Sequence, residues 1–359
     1  MASKLFSTLT IRGTTFSNRL WVSPMCQYSA VEGVPQDWHF VHLGSLAVGG
    51  PGLVMAEATA VAPEGRITPV CTGIWNDEQA QQWKRIVRFI TSQGVPAGIQ
   101  LAHAGRKAST DSIARGSGPV DPEEGGWPTI APSPRPYGRY APPQELDEEG
   151  IARVVVDFAS AARRSVQAGF SVIEIHAAHG YLIHEFLSPL SNFRTDRYGG
   201  SPQNRARILF EIVDAVRGAI PESTPLFIRF SATDWVDGGW DVTDLAELVG
   251  PLEERGVDLF DISSAGLDPR QQIPIHPGYQ VHLSRAIKQV ARVPVGAVGL
   301  MTTPREFEDT LQAEDADVIF AGREFLRDRM LVRRAAVEFQ SKMEWPEQYL
   351  MAKFPGAIP

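Results

Sequence analysis

The chain has 359 residues, 43% of them hydrophobic and 21% charged, with 34 basic against 42 acidic side chains and a net charge of −8. This is the composition of an ordinary globular protein whose core needs no staples, and its acidity argues against nucleic acid or an anionic membrane as the main partner. Two cysteines, Cys26 and Cys71, are too few for a disulfide framework and suit a reducing compartment. With no apolar signal core at Met1–Ser7 and no run of transmembrane length, a cytoplasmic location is expected.

Eight short apolar runs read as strands: Leu20–Met25, Leu53–Ala58, Ala97–Leu101, Val172–His176, Leu226–Ser231, Leu259–Ser263, Val295–Gly299 and Val318–Gly322. Helical periodicity lies between them at Glu78–Ser92, Gly150–Ala168, Gln203–Gly218, Thr243–Arg255, Val281–Ala291 and Thr303–Gln312. Strands alternating with helices imply right-handed parallel crossovers, and eight repeats predict an α/β fold of the closed (β/α)8 TIM-barrel type. An open doubly wound sheet gives no reason for the count to be eight. One connection departs from the pattern: residues 103–147, rich in Pro and Gly, form a capping segment after strand three, over the binding face. A single domain over residues 1–359 is expected, with a C-terminal tail from about residue 342.

In such a barrel the site forms at the C-terminal tips of the strands. Strand one ends in Pro24, Met25, Cys26, Gln27 and Tyr28; strand two carries Ala58; strand three carries Gln100; strand five delivers Arg229. Strand four ends in His176-Ala-Ala-His179-Gly-Tyr181. Two imidazoles three residues apart, with a phenol beside them, can polarise a carbonyl and protonate its neighbour. Gly299 and Gly322, after strands seven and eight, let backbone approach a phosphate, and Arg323 adds a charged donor. No G-x-G-x-x-G opens a helix after a strand, so a mononucleotide such as FMN fits better than a dinucleotide.

Plainer readings compete. His39, His42 and His103 read as structural, and Cys71 as structural or incidental. His176 and His179 could belong to a metal-dependent barrel hydrolase, but two histidines are short of a catalytic zinc set, and Glu174 is expected to face away. No metal is therefore expected. Arg229 needs either an anionic ligand or a carboxylate, for example Asp234.

The chain resembles the Old Yellow Enzyme family of FMN-dependent ene-reductases, in its xenobiotic-reductase and thermophilic-like branch. The likeness runs from about Leu5 to about Tyr349. It rests on Ser23-Pro-Met-Cys-Gln-Tyr28, Asp37-Trp-His39, Glu57–Arg66, Gln100–Lys107, His176–Tyr181 and Arg194–Ser201, six motifs in order. The resemblance implies that NADPH, or NADH, reduces bound FMN, and that hydride then passes from flavin N5 to the β-carbon of an α,β-unsaturated carbonyl. It implies Tyr181 as proton donor, His176 and His179 as ligands of the carbonyl oxygen, and Tyr28 over the substrate. Pro24, Met25, Cys26, Ala58, Gln100 and Arg229 are implied as flavin contacts, and Gly299, Gly322 and Arg323 as phosphate contacts. A homodimer or dimer-built oligomer is the family habit. Here Gln348-Tyr349 is followed by Leu350-Met351-Ala352-Lys353, where the branch often carries an Arg or Trp that completes a neighbour's pocket.

Overall fold

The computed structural model describes residues 3–358; Met1, Ala2 and Pro359 lie outside it. A short antiparallel hairpin, β1 (Leu9–Ile11) and β2 (Thr14–Phe16), precedes the first barrel strand, β3 (Leu20–Val22). Helix α1 (Asp37–Val48) leads to β4 (Val54–Ala60), and α2 (Asp77–Ser92) to β5 (Ala97–Ala102). The long connection follows, with a two-residue ladder of β6 (Ile130–Ala131) and β7 (Gln144–Glu145). Then come α3 (Glu148–Ala168), β8 (Val172–Ala177), α4 (Leu182–Leu187), α5 (Pro202–Arg205), α6 (Arg207–Ala219), β9 (Leu226–Ser231), α7 (Val242–Glu254) and β10 (Leu259–Ser263). Helix α8 (Val281–Lys288), β11 (Val295–Ala297), α9 (Pro304–Gln312), β12 (Val318–Ala321), α10 (Arg323–Arg327) and α11 (Leu331–Glu338) complete the order. Eight parallel strands close in the order β3, β4, β5, β8, β9, β10, β11, β12 and back to β3. This is the (β/α)8 barrel expected. No helix among the described residues is long and apolar enough to cross a membrane.

Differences from the sequence reading have local causes. Strand β3 stops at Val22 because Pro24 has no N–H to give a ladder. Strand β11 stops at Ala297, ahead of Gly299 with φ 140°. The helix expected over 203–218 is two helices meeting at Ala206. Helix α1 carries little helical periodicity in its sequence because its apolar residues are not confined to one stripe, and His39 and His42 are buried with Leu43, Leu46 and Ala47.

Strand residues alternate between two apolar zones. Ile173, Ile175, Ile228, Phe230, Phe260 and Ile262 pack outward against the helices. Trp21, Met55, Val172, Phe227, Leu259, Val318 and Phe320 fill the lower barrel, where Ile11 and Phe16 of the hairpin plug it. Trp21 stacks on Phe227 at 5.9 Å and meets Phe320 edge-on at 5.4 Å. The same parity carries upward, so residues two positions further along each strand form the next interior layer.

Candidate active site

That next layer is polar. Gln100, Glu174, Arg229 and Asp261 are all buried on the barrel's inside, in adjacent strands. Gln100 Nε2 donates to Glu174 Oε1 (2.8 Å), and Arg229 donates through a terminal nitrogen to Ser23 Oγ (2.9 Å). Arg229 Nε lies 3.3 Å from Asp261 Oδ2, although neither that nitrogen nor the Asp261 oxygens make a well-aligned hydrogen bond. Burial pushes the Glu174 carboxyl up to about 8, and that of Asp261 up to about 6, against the pull of Arg229.

Two expectations are corrected by this layer. Glu174 does not face away from His176: residues two apart on a strand share a face, so it sits directly beneath the imidazole. The carboxylate facing Arg229 is Asp261, its register partner, and not Asp234. Asp234 is instead buried beside His184, with 2.9 Å from His184 Nε2 to Asp234 Oδ1.

Above the polar layer stand the residues of the β8 tip. The His176 ring centroid is 5.2 Å from that of His179 and 5.1 Å from that of Tyr181, both edge-to-face. The three converge through a tight turn rather than a helical one: His179 has φ 59° and Tyr181 is the residue before α4. Ala178 N donates to His176 Nδ1 (3.3 Å), which leaves Nε2 as the protonated nitrogen of the neutral ring. His179 Nε2 lies 2.8 Å from Ser263 Oγ, and its backbone N donates to Ser231 Oγ (2.8 Å).

Burial, reinforced by Arg229 and Lys107, holds both imidazoles well below the usual histidine range, so both are neutral. Burial, reinforced by Cys26 and Tyr28, holds the Tyr181 phenol well above its ordinary value, so it keeps its proton. The site therefore offers neutral donors to a neutral or developing oxyanion.

Two supports for this turn went unread in the sequence. Gly180 N donates to His184 Nδ1 (2.9 Å), and His184 in turn abuts Asp234, which accepts from Ser188 Oγ and Trp240 N. From the capping segment, Lys107 Nζ donates to His179 O and Gly266 O, both at 2.8 Å, and lies 5.1 Å from the Tyr181 ring centroid. Burial lowers the Lys107 ammonium to about 8. Helical spacing hints at His184, three residues after Tyr181, but its partner lies fifty positions away.

Gly299, Gly322 and Arg323 line one cavity of about 250 Å³, together with Ser263, Tyr279 and Gln280. A Cβ on Gly322 would come within 3.3 Å of Met25 Sδ, and one on Gly299 within 3.1 Å of Gln280 Nε2. Both glycines keep backbone open to the cavity. Ser263 belongs to this cavity and also touches His179, so it joins the two parts of the mouth. Tyr279 and Gln280 gave no signal in the sequence; Gln280 is fixed by Ser264 Oγ (2.5 Å) and by Val298 O (3.1 Å).

Near Tyr28, which adopts φ 51°, the structure brings together Cys26 and Cys71. The proximity of the two thiols moves Cys26 up and Cys71 down. Glu57 adjoins them at a bulge in β4, where the register to β5 shifts between Ala56 and Ala58. His39 Nε2 lies 3.2 Å from Glu57 Oε1, without a well-aligned hydrogen bond. His42 stacks on Trp38, and His103 Nδ1 accepts from Gly105 N. Among the described residues, no third metal-binding side chain joins His176 and His179.

Residues 4–342 match the NADH:flavin oxidoreductase / NADH oxidase family. The chain is 46% identical to an NADH:flavin oxidoreductase of Gibberella zeae, over 97% of this chain and 88% of that protein. It is 43% identical to an NADPH dehydrogenase of Halalkalibacterium halodurans, over 97% and 98%. Among solved structures, morphinone reductase superposes with a TM-score of 0.79 at 25% identity, covering 99% of this chain and 94% of that one. A 2-naphthoyl-CoA reductase complex gives 0.84 at 25% identity, over 93% of this chain but 52% of the other, so the chain spans about half of that reductase. The two histidines therefore sit in a flavin oxidoreductase and not in a barrel hydrolase: the chain belongs to the NADH:flavin oxidoreductase / NADH oxidase family, the Old Yellow Enzyme group that its motifs resemble.

Proposed function

We propose that the protein is an ene-reductase for α,β-unsaturated carbonyl compounds, using FMN and drawing its electrons from NADPH or NADH. The observation that carries this reading is the β8 tip: the neutral His176 imidazole has the neutral His179 ring 5.2 Å away and the protonated Tyr181 phenol 5.1 Å away, centroid to centroid. FMN, when bound, supplies a two-electron carrier between the nicotinamide and the β-carbon of the alkene. His176 offers its Nε2–H to the carbonyl oxygen, and His179 approaches the same oxygen from the Ser263 side. Neutral rings suit this task because they donate without surrendering a proton to the oxygen. The Tyr181 phenol protonates the α-carbon, and Tyr28 covers the substrate.

The interior fits a flavin mononucleotide. Gly299 and Gly322 leave a cradle that Cβ atoms would narrow, beside the Arg323 charge. Arg229, deep in the mouth between Asp261 and Ser23, brings a buried guanidinium whose charge suits a ring edge where negative charge gathers on reduction. Gln100, Ala58, Pro24, Met25 and Cys26 complete the proposed ring contacts. The NADPH dehydrogenase relative supports NADPH as reductant.

A visible absorption spectrum tests the reading. The purified protein is expected to be yellow, to bleach under anaerobic NADPH, and to regain its colour on adding cyclohexenone. A spectrum that stays flat after FMN is supplied would overturn it. Bleaching without recovery on any enone would remove the substrate class while leaving the flavin.

A further inference from the structure

The part of the capping segment between β6 and β7 lies apart from the flavin contacts. It carries Pro132, Pro134, Pro136, Pro142 and Pro143. Each ring fixes φ and leaves the backbone fewer states to explore, so this strap holds one shape. Its ends are tied together. Ile130 and Ala131 pair with Gln144 and Glu145, and the buried Arg194 donates through Nη1 to both Pro132 O and Leu146 O. Asp196 accepts from the rest of that guanidinium, and Phe193 N donates to Ser133 Oγ (2.9 Å). Along the strap Arg135, Gly138, Arg139 and Ala141 are exposed, whereas Tyr137 and Tyr140 turn inward and are half-buried.

We propose that Tyr137 and Tyr140 are specificity-determining residues: they wall the mouth beyond Tyr181 and restrict the substituent that a substrate can carry on its α-carbon. The inference rests on the ene-reductase reading above. The two rings pack edge-to-face at 5.6 Å. Lys107 Nζ links the pair to Tyr181, lying 4.7 Å from the Tyr137 ring centroid and 5.1 Å from that of Tyr181. Gly138 has φ 55°, and a Cβ there would come within 3.4 Å of Pro269 Cγ, so the tip of the strap meets the loop after β10. Tyr140 OH donates to Ser117 O (2.9 Å), which braces the wall from the outer part of the capping segment. Burial, and then neighbours that include Cys26, Tyr28 and Tyr140, raise the Tyr181 phenol, so Tyr140 stands within electrostatic reach of that hydroxyl. With the carbonyl oxygen at His176 and His179 and the α-carbon at the Tyr181 hydroxyl, a group on that carbon extends past Tyr181 toward the strap. The wall admits a hydrogen or a small group there and excludes a branched one, because the prolines leave the strap little freedom to yield.

The experiment compares cyclohexenone with 2-isopropylcyclohexenone on the FMN-loaded protein. Perturbation of the flavin spectrum gives the affinity of each ketone for the oxidised protein, and stopped-flow absorbance gives the rate at which each reoxidises the reduced one. The unaltered protein should favour cyclohexenone by roughly tenfold or more, the scale on which a pocket discriminates a methylene or two. Tyr137→Ala and Tyr140→Ala should each cut that preference roughly tenfold, while Tyr140→Phe, which keeps the ring, should retain it. Tyr140→Leu supplies a milder truncation if an alanine variant fails to fold. No preference in the unaltered protein, or one that survives every truncation, would overturn the wall. A preference in binding that truncation erases, with no reoxidation by either ketone, would keep the wall and sink the ene-reductase reading. Reoxidation by both ketones with the preference unmoved would do the reverse, and a spectrum silent to both would overturn the two together.

Discussion

Tyr181 is set apart from the other tyrosines of the mouth by its company: the neutral His176 imidazole edge-to-face with its ring and Lys107 Nζ over it. As the proposed proton donor, its hydroxyl matters in one half of the cycle. Tyr181→Phe should slow reoxidation by an enone roughly a hundredfold or more, the scale of lost general-acid catalysis, while reduction by NADPH keeps its rate. Stopped-flow flavin absorbance separates the two halves. Equal slowing of both would make Tyr181 a structural residue. At this scale much was legible. Histidine, histidine and tyrosine at a strand tip announced themselves by type and spacing. Which ring nitrogen carries the proton did not, because a backbone N–H two residues on decides it. Glu174 was legible and misread: its place two residues before His176 fixes the same face.

The turn between β8 and α4 is where local geometry does most to form the site. Gly180 has φ 70°, and a Cβ there would fall 2.1 Å from Gly266 O. Gly180→Ala should therefore cost about 1–3 kcal/mol of stability and displace His179, which precedes it. Chemical denaturation measures the first effect, and loss of phenol binding at the mouth reports the second. An alanine variant of unchanged stability and affinity would mean that the β10 loop yields freely. Such a turn follows from Gly in sequence, but its supports do not. His184, Asp234 and Lys107 reach it from α4, the loop after β9 and the capping segment. The Cys71 contact is equally remote, made by a segment that folds back after β4, where Ala60 N donates to Thr72 O and Ala30 N to Val70 O. Periodicity sees neighbours on one element and is blind to such returns.

The molecule as a whole carries protons in its interior. Glu174 and Glu185 are pushed by burial from the ordinary 4.5 up to about 8. Between those values the folded chain binds more protons than the unfolded one, so stability falls as pH rises. His42 and His103 move the other way, from 6.5 to about 4 by burial, and so cost stability as pH drops through that window. Above pH 6.5 the carboxyls set the slope. Urea midpoints from pH 6.5 to 8 should thus fall in the unaltered protein and fall less in Glu174→Gln, whose amide keeps the Gln100 contact without titrating. Parallel slopes would show that Glu174 is ionised throughout. The barrel was legible as a count of eight runs, and its plug was not, since two three-residue strands lie below any periodic signal. The closing seam has a temporal consequence. Leu20–Val22 pair with Ile319–Ala321, and Ser3, Lys4 and Leu5 hydrogen-bond to Glu308. A nascent chain leaving the ribosome must hold residues 3–22 unsatisfied until residues 308–321, about three hundred positions later, have emerged. A stretch made early is thus among the last to settle, and the interior above it stays open to solvent until then.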